Sequence, residues 1–313
     1  MSRSRTPIGL KIAMAIVAVA LVVVAVFLVS ENLFHKTSVI APRDYTKKVA
    51  TGGAIESKYL ATGNFKTRSF SVAAPGLLET FSIFYPAELA TSDRKYPVVV
   101  FANASGVVAS QYDAVLRHLA SWGFVAIAND LPGSSVGTPT NQTLDYLLER
   151  ARDPDSIFYR KIDEERIGAV GCSLGGVGVV DAVADDSVKR YLCVAALSPA
   201  AIKSTDPDSG LETYCGFDKI TTPIAIIFGT DRDVMTPDAA AALFETIPAE
   251  KIMAFRVGAD HSQTLYCADG YVTAWLCWKL QGDEEAAKAF VGDRPEILEN
   301  SLYQAQKTNL TSK

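Results

Sequence analysis

From residue 67 onward, apolar positions come in short runs separated by amphipathic stretches. The first two runs, 67–72 and 79–85, alternate apolar with polar residues, as strands do when one face is solvated. The next six, 97–102, 123–129, 166–171, 192–197, 223–229 and 252–257, are almost wholly apolar, the pattern of parallel strands buried on both faces. Between them the period becomes helical. Gln111–Trp122 places Tyr112, Val115, Leu116 and Leu119 on one face, and Thr143–Arg152 does the same with Leu144, Leu147 and Leu148. Pro237–Thr246 and Gly270–Leu280 follow. This alternation predicts an α/β protein: a mostly parallel central sheet with helices on both faces, and an antiparallel edge from the first two strands. The interval Ser198–Thr222 is too short for a separate cap domain, so only a minimal cap is expected. The tail from Gly282 reads as charged, helical and structural.

The N-terminus follows a different rule. Ile12–Val29 is an unbroken run of eighteen apolar residues, extended across Lys11 by Ile8–Leu10. A helix of that length rises about 27 Å, close to the hydrocarbon thickness of a bilayer. Arg3, Arg5 and Lys11 precede it and favour a cytoplasmic N-terminus, although Lys36, Arg43, Lys47 and Lys48 beyond it oppose that bias. A cleavable signal has a shorter apolar core and a small-x-small site, and Phe27–Glu31 offers a poor one. The expected organisation is a signal anchor over 1–30, with one transmembrane helix at about 8–30, a juxtamembrane linker over 31–60 and the α/β domain over 61–313. A long signal peptide is the alternative. Either way the α/β domain is exported, as a single-pass protein of the cell membrane or a secreted one.

Composition narrows the classes. With 49% apolar residues a large core is available. The net charge of −5, without a basic stripe, argues against a nucleic-acid partner. None of the five cysteines, Cys172, Cys193, Cys215, Cys267 and Cys277, forms a C-x-x-C pair, so no zinc or redox motif is present. Cys172 and Cys193 belong to core strands. Cys267 and Cys277 would lie about 15 Å apart along one helix, too far to bond. Cys215 with Cys267 is a candidate disulfide.

The candidate chemistry centres on Gly171-Cys172-Ser173-Leu174-Gly175, a G-x-S-x-G sequence between an apolar strand and a small-residue helix. A serine there sits on a sharp turn above the sheet, and glycines two residues to either side avoid Cβ clashes. The Leu174 amide lies at the helix start, where it can stabilise an oxyanion. The hydroxyl needs a base, and the chain has three histidines. His35 adjoins the anchor, His118 lies inside a helix, and His261 follows the last predicted strand, leaving it as the candidate base. A carboxylate must hold that imidazole in the right tautomer. Asp231 and Asp233 both follow the strand at 223–229 and compete for the role; Asp260, adjacent to His261, is suited instead to binding backbone or Arg232. The strand at 97–102 runs into Asn103-Ala104-Ser105-Gly106, where the Ser105 amide is the expected second oxyanion donor. Asn103-Ala104-Ser105 also matches a glycosylation sequon, a use its position beneath the site opposes.

The chain resembles bacterial cutinases and polyester hydrolases, and also chlorophyllases and platelet-activating-factor acetylhydrolases, over about residues 60–305. The resemblance rests on Tyr96–Asn103, His118–Asp130, Gly171–Gly176, Asp233-Val-Met-Thr-Pro237 and Asp260-His-Ser262, with Gly282–Phe290 similar to the close of related bacterial hydrolases. It implies the α/β-hydrolase fold and, through the Asp-x-x-x-Pro segment, Asp233 as the acid. The order Ser173, Asp233, His261 is that of the fold. Departures lie at Ala200-Ala201, where an aromatic residue is common after the strand-six proline, and at Cys172 and Leu174, where His or Trp and Met are common. In the similar dienelactone hydrolases a cysteine is the nucleophile, but Cys172 is one residue off that position. The expected activity is hydrolysis of a small-molecule or lipid-like ester without a cofactor, with the membrane met through the N-terminal helix. Acyl transfer would use the same residues, and a non-catalytic surface binding module with this fold is the third reading.

Overall fold

The computed structural model describes residues 40–184, 190–201, 203–205, 212–214 and 216–311. The expected transmembrane helix lies outside them. Among the described residues, no helix is long and apolar enough to cross a membrane.

The strands are β1 (Thr67–Ala73), β2 (Thr80–Pro86), β3 (Tyr96–Ala102), β4 (Val125–Asn129), β5 (Ile162–Cys172), β6 (Tyr191–Leu197), β7 (Lys203–Thr205), β8 (Glu212–Tyr214), β9 (Ile224–Asp231), β10 (Lys251–Asp260) and β11 (Tyr303–Thr308). Nine of them form one sheet in the order β1-β2-β4-β3-β5-β6-β9-β10-β11, while β7 and β8 pair as a separate ribbon. The segment from β4 to β10 in that order is parallel throughout. β1 and β2 join as an antiparallel edge, as their alternating pattern predicts.

The helices are α1 (Tyr45–Lys48), α2 (Ala54–Leu60), α3 (Asp113–Ser121), α4 (Gly137–Arg152), α5 (Leu174–Ala184), α6 (Pro237–Thr246), α7 (Thr264–Cys267), α8 (Asp269–Leu276), α9 (Glu284–Ala287) and α10 (Glu296–Glu299). Alternate side chains of the parallel strands feed two cores. Val99 and Phe101 pack with α3 and α8 on one face. Val98, Val100 and Ala102 pack with α4, α5 and α6 on the other. The expected helix through Leu280 instead leaves α-geometry at Cys277 and closes as a π-turn over Cys277–Gln281.

Two expectations are corrected. The stretch 40–60 is not a linker: Ala41, Tyr45, Tyr59 and Leu60 are all buried in the core. Its polar appearance in sequence comes mostly from exposed residues such as Asp44, Lys47, Lys48, Ser57 and Lys58, whereas Glu56 among them is buried with matched partners. Glu56, 1% exposed, accepts from the Gly52 amide at 2.7 Å, Asn300 Nδ2 at 2.8 Å and Tyr303 Oη at 2.9 Å. Glu296 caps α2 from the far end of the chain, its two oxygens accepting the Ile55 and Glu56 amides at 2.8 Å each. The domain therefore begins by Ile40. The tail is likewise not only helical: Tyr303–Thr308 adds β11 antiparallel to β10 and places Tyr303 against Glu56.

Candidate active site

Ser173 sits between β5 and α5 with φ of 56°, a left-handed conformation costing about 1–3 kcal/mol for a non-glycine residue. The surroundings hold it there. Its amide donates to the Leu197 carbonyl at 2.9 Å, and its carbonyl accepts from the Ala200 amide at 3.1 Å. The flanking glycines are sterically required. A Cβ on Gly171 would lie 2.1 Å from the Gly175 carbonyl oxygen, and one on Gly175 would lie 2.1 Å from that of Ala102.

Ser173 Oγ is 2.9 Å from His261 Nε2, and His261 Nδ1 is 2.9 Å from Asp233 Oδ1. His261 stands in the turn after β10. Asp260 shapes that turn, its Oδ1 accepting the amides of Ser262 and Gln263 at 2.9 Å each. Of the competing aspartates, the structure brings Asp233 to His261 and leaves Asp231 solvent-exposed at the end of β9. The Asp233 side chain is 2% exposed. Burial pushes its pKa up, but hydrogen bonds from His261, Ser198 and the amides of Gly229 and Val234 outweigh burial and hold it below the usual value.

Ser198 is the residue the sequence reading missed. It is fully buried at the end of β6 with φ of 41°, and its Oγ donates to Asp233 Oδ2 at 2.6 Å. The only local signal was a small polar residue closing an apolar strand next to that of the nucleophile.

The two expected oxyanion donors stand close by. Leu174 opens α5, so its amide is among those a helix start leaves without an intrahelical partner. A Cβ built on Gly133 would lie 3.4 Å from Ser105 Cα and 3.7 Å from Leu174 Cδ1, so the two loops converge there. Asn103 fixes the Ser105 loop, donating from Nδ2 to the carbonyls of Asn129 at 2.7 Å and Leu131 at 2.8 Å. It is fully buried, which opposes its use as a glycosylation acceptor.

The remaining candidates fall elsewhere. His118 is buried in α3, with Nδ1 2.6 Å from Asp269 Oδ2. Cys172 lies beneath the serine, and burial, helped by the Asp233 charge, pushes its thiol up to about 12, leaving it neutral. Cys267 is a free thiol; Cys215, its candidate partner, lies outside the described residues. A pocket of about 190 Å³ opens at Ser173 and His261, lined also by Ile40, Phe101, Tyr112 and Leu265. A larger groove of about 700 Å³ between Arg43, Lys66, Arg117 and His118 contains none of the three converging residues.

A serine on a strained strand-to-helix turn, with a histidine and a buried aspartate supplied from the ends of later parallel strands, defines an α/β-hydrolase. A model of the PET hydrolase-like family matches residues 51–307, and the chain belongs to that family. This places it among hydrolases that cleave esters. No curated protein matches the chain at a significant level.

Proposed function

We propose that the protein is a membrane-tethered, extracytoplasmic serine hydrolase that cleaves carboxylic esters through an acyl-enzyme on Ser173. The observation that carries this reading is the unbroken line Ser173 Oγ–His261 Nε2 and His261 Nδ1–Asp233 Oδ1, each step 2.9 Å. Ser173 attacks the ester carbonyl while His261 Nε2 takes the hydroxyl proton. Asp233 holds Nδ1–H and stabilises the imidazolium. The Leu174 and Ser105 amides receive the oxyanion; one such donor is worth about 3–4 kcal/mol in the transition state. His261 then protonates the departing alcohol. Water, deprotonated by the same nitrogen, releases the acid. Support for the tether is the apolar run Ile12–Val29 with Arg3, Arg5 and Lys11 before it.

A fluorophosphonate probe with the full-length protein tests the chemistry. Labelling of wild type and none of Ser173→Ala is expected; equal labelling of both sinks the reading. Carbonate extraction of membranes, with protease added to intact cells, tests the tether. A protein released by carbonate, or protected from external protease, rules it out.

A further inference from the structure

The pocket at Ser173 combines the polar residues Ser105, Ser173, His261 and Ser262 with a mostly apolar lining. In that lining Phe101, Tyr112 and Cys172 are each at most 5% exposed. Ala104, Val107 and Leu265 add apolar surface, and the N-terminal segment contributes Ile40. This residue is held in place. Its amide and that of Ala41 donate to the Gln111 carbonyl at 2.9 and 3.3 Å, one residue before Tyr112 in the pocket wall. Ala41 is fully buried, and Tyr45 Oη bonds Asp269 Oδ2 at 2.5 Å. The segment and the wall it meets are thus one packed unit.

A small, largely apolar pocket beside the nucleophile suits the part of the ester that stays on Ser173 through both chemical steps. That part is the acyl chain. The alcohol takes a proton from His261 and must leave by an open route. An apolar cavity of about 150 Å³ accommodates benzene, so a pocket somewhat larger takes an acyl group of roughly six to eight carbons or a single ring. We propose that Ile40 is the acyl-chain stop of this site, a specificity-determining residue that confines the enzyme to esters of compact acids. This inference rests on the ester-hydrolase reading above. It assigns the N-terminal segment to the substrate site.

The test uses the full-length protein with two substrate series: p-nitrophenyl esters from acetyl to palmitoyl, in which only the acyl chain changes, and alkyl acetates, in which only the alcohol changes. Wild-type kcat/KM is expected to fall steeply beyond about eight acyl carbons. Ile40→Ala removes about three carbons from the wall and moves that fall to correspondingly longer chains. The decanoyl-to-butyryl ratio of kcat/KM should then rise at least roughly 10-fold, the lower limit for one methylene in an apolar pocket. Ile40→Trp should move the fall toward shorter chains. Neither substitution should reorder the alkyl acetates. An active enzyme whose acyl cut-off is the same in all three proteins overturns the inference alone, as does a shift confined to the alkyl acetates. A wild type inert toward every ester overturns the hydrolase reading and this inference with it.

Discussion

Ser198 donates its hydroxyl to Asp233 Oδ2 at 2.6 Å, while His261 occupies the other oxygen, Oδ1. The aspartate is thereby held from both sides, with the Gly229 and Val234 amides completing its shell. Ser198 is fully buried, so water cannot readily replace its hydroxyl. A hydrogen bond to a charged group contributes about 1.5–3 kcal/mol. We expect Ser198→Ala to lower kcat by about 10- to 100-fold, because the imidazolium formed in the transition state loses orientation and charge stabilisation. Measuring kcat with thermal stability separates the roles. A fall in melting temperature with kcat unchanged would show that Ser198 only fills space.

The two aspartates after β9 should behave oppositely. Asp233→Asn leaves His261 in the wrong tautomer, and kcat should drop about 10⁴-fold. Asp231 is exposed, and Asp231→Asn should change stability by no more than about 0.5 kcal/mol and leave kcat near wild type. Steady-state turnover of a short p-nitrophenyl ester distinguishes them. If the Asp231 variant is the damaged one, the acid has been misassigned.

What the sequence made legible follows from which interactions leave a periodic or positional trace. The buried strands β3, β4, β5, β6, β9 and β10 were readable because covering both faces demands continuous apolar runs. Ser173 was readable because its turn requires Gly171 and Gly175, and His261 because so few histidines compete. Asp233 was separated from Asp231 only by resemblance, since both follow the same strand and only the backbone turn decides which reaches the imidazole. Residues 40–60 and Ser198 escaped for a common reason. Their contributions are buried polar pairs between distant parts of the chain, Glu56 with Tyr303 and Ser198 with Asp233, and such pairs leave no hydrophobic period.

Glu56 offers a stability test of that N-terminal segment. Its carboxylate is the shared acceptor for Gly52, Asn300 and Tyr303. Glu56→Ala strips the buried Asn300 and Tyr303 donors of this acceptor, and leaving a buried donor unsatisfied costs about 1–3 kcal/mol for each. In a domain of this size that corresponds to a fall in melting temperature of roughly 10 °C. Calorimetry of the full-length variant checks it. A change within about 0.5 kcal/mol, as for an ordinary surface substitution, would mean that 40–60 is a linker after all.

His118 should give the folded state a pH dependence of its own. Burial disfavours its charge, but the Asp269 carboxylate and the Ala61 and Leu60 carbonyls outweigh burial and raise its pKa above the ordinary 6.5. Tyr45 also faces Asp269, and burial and that carboxylate keep its phenol neutral. The Trp122 indole donates to the same Ala61 carbonyl that His118 Nε2 meets. A raised folded-state pKa means that the folded protein holds the proton more tightly than the unfolded chain. The stabilisation is therefore complete below about pH 6.5 and is lost as pH rises through the folded-state value. His118→Gln keeps a donor but cannot titrate. Urea unfolding of both proteins across pH 5–9 should show wild-type stability falling relative to the variant as the solution becomes alkaline. Parallel curves would place the proton on neither state preferentially and remove His118 as the source of the slope.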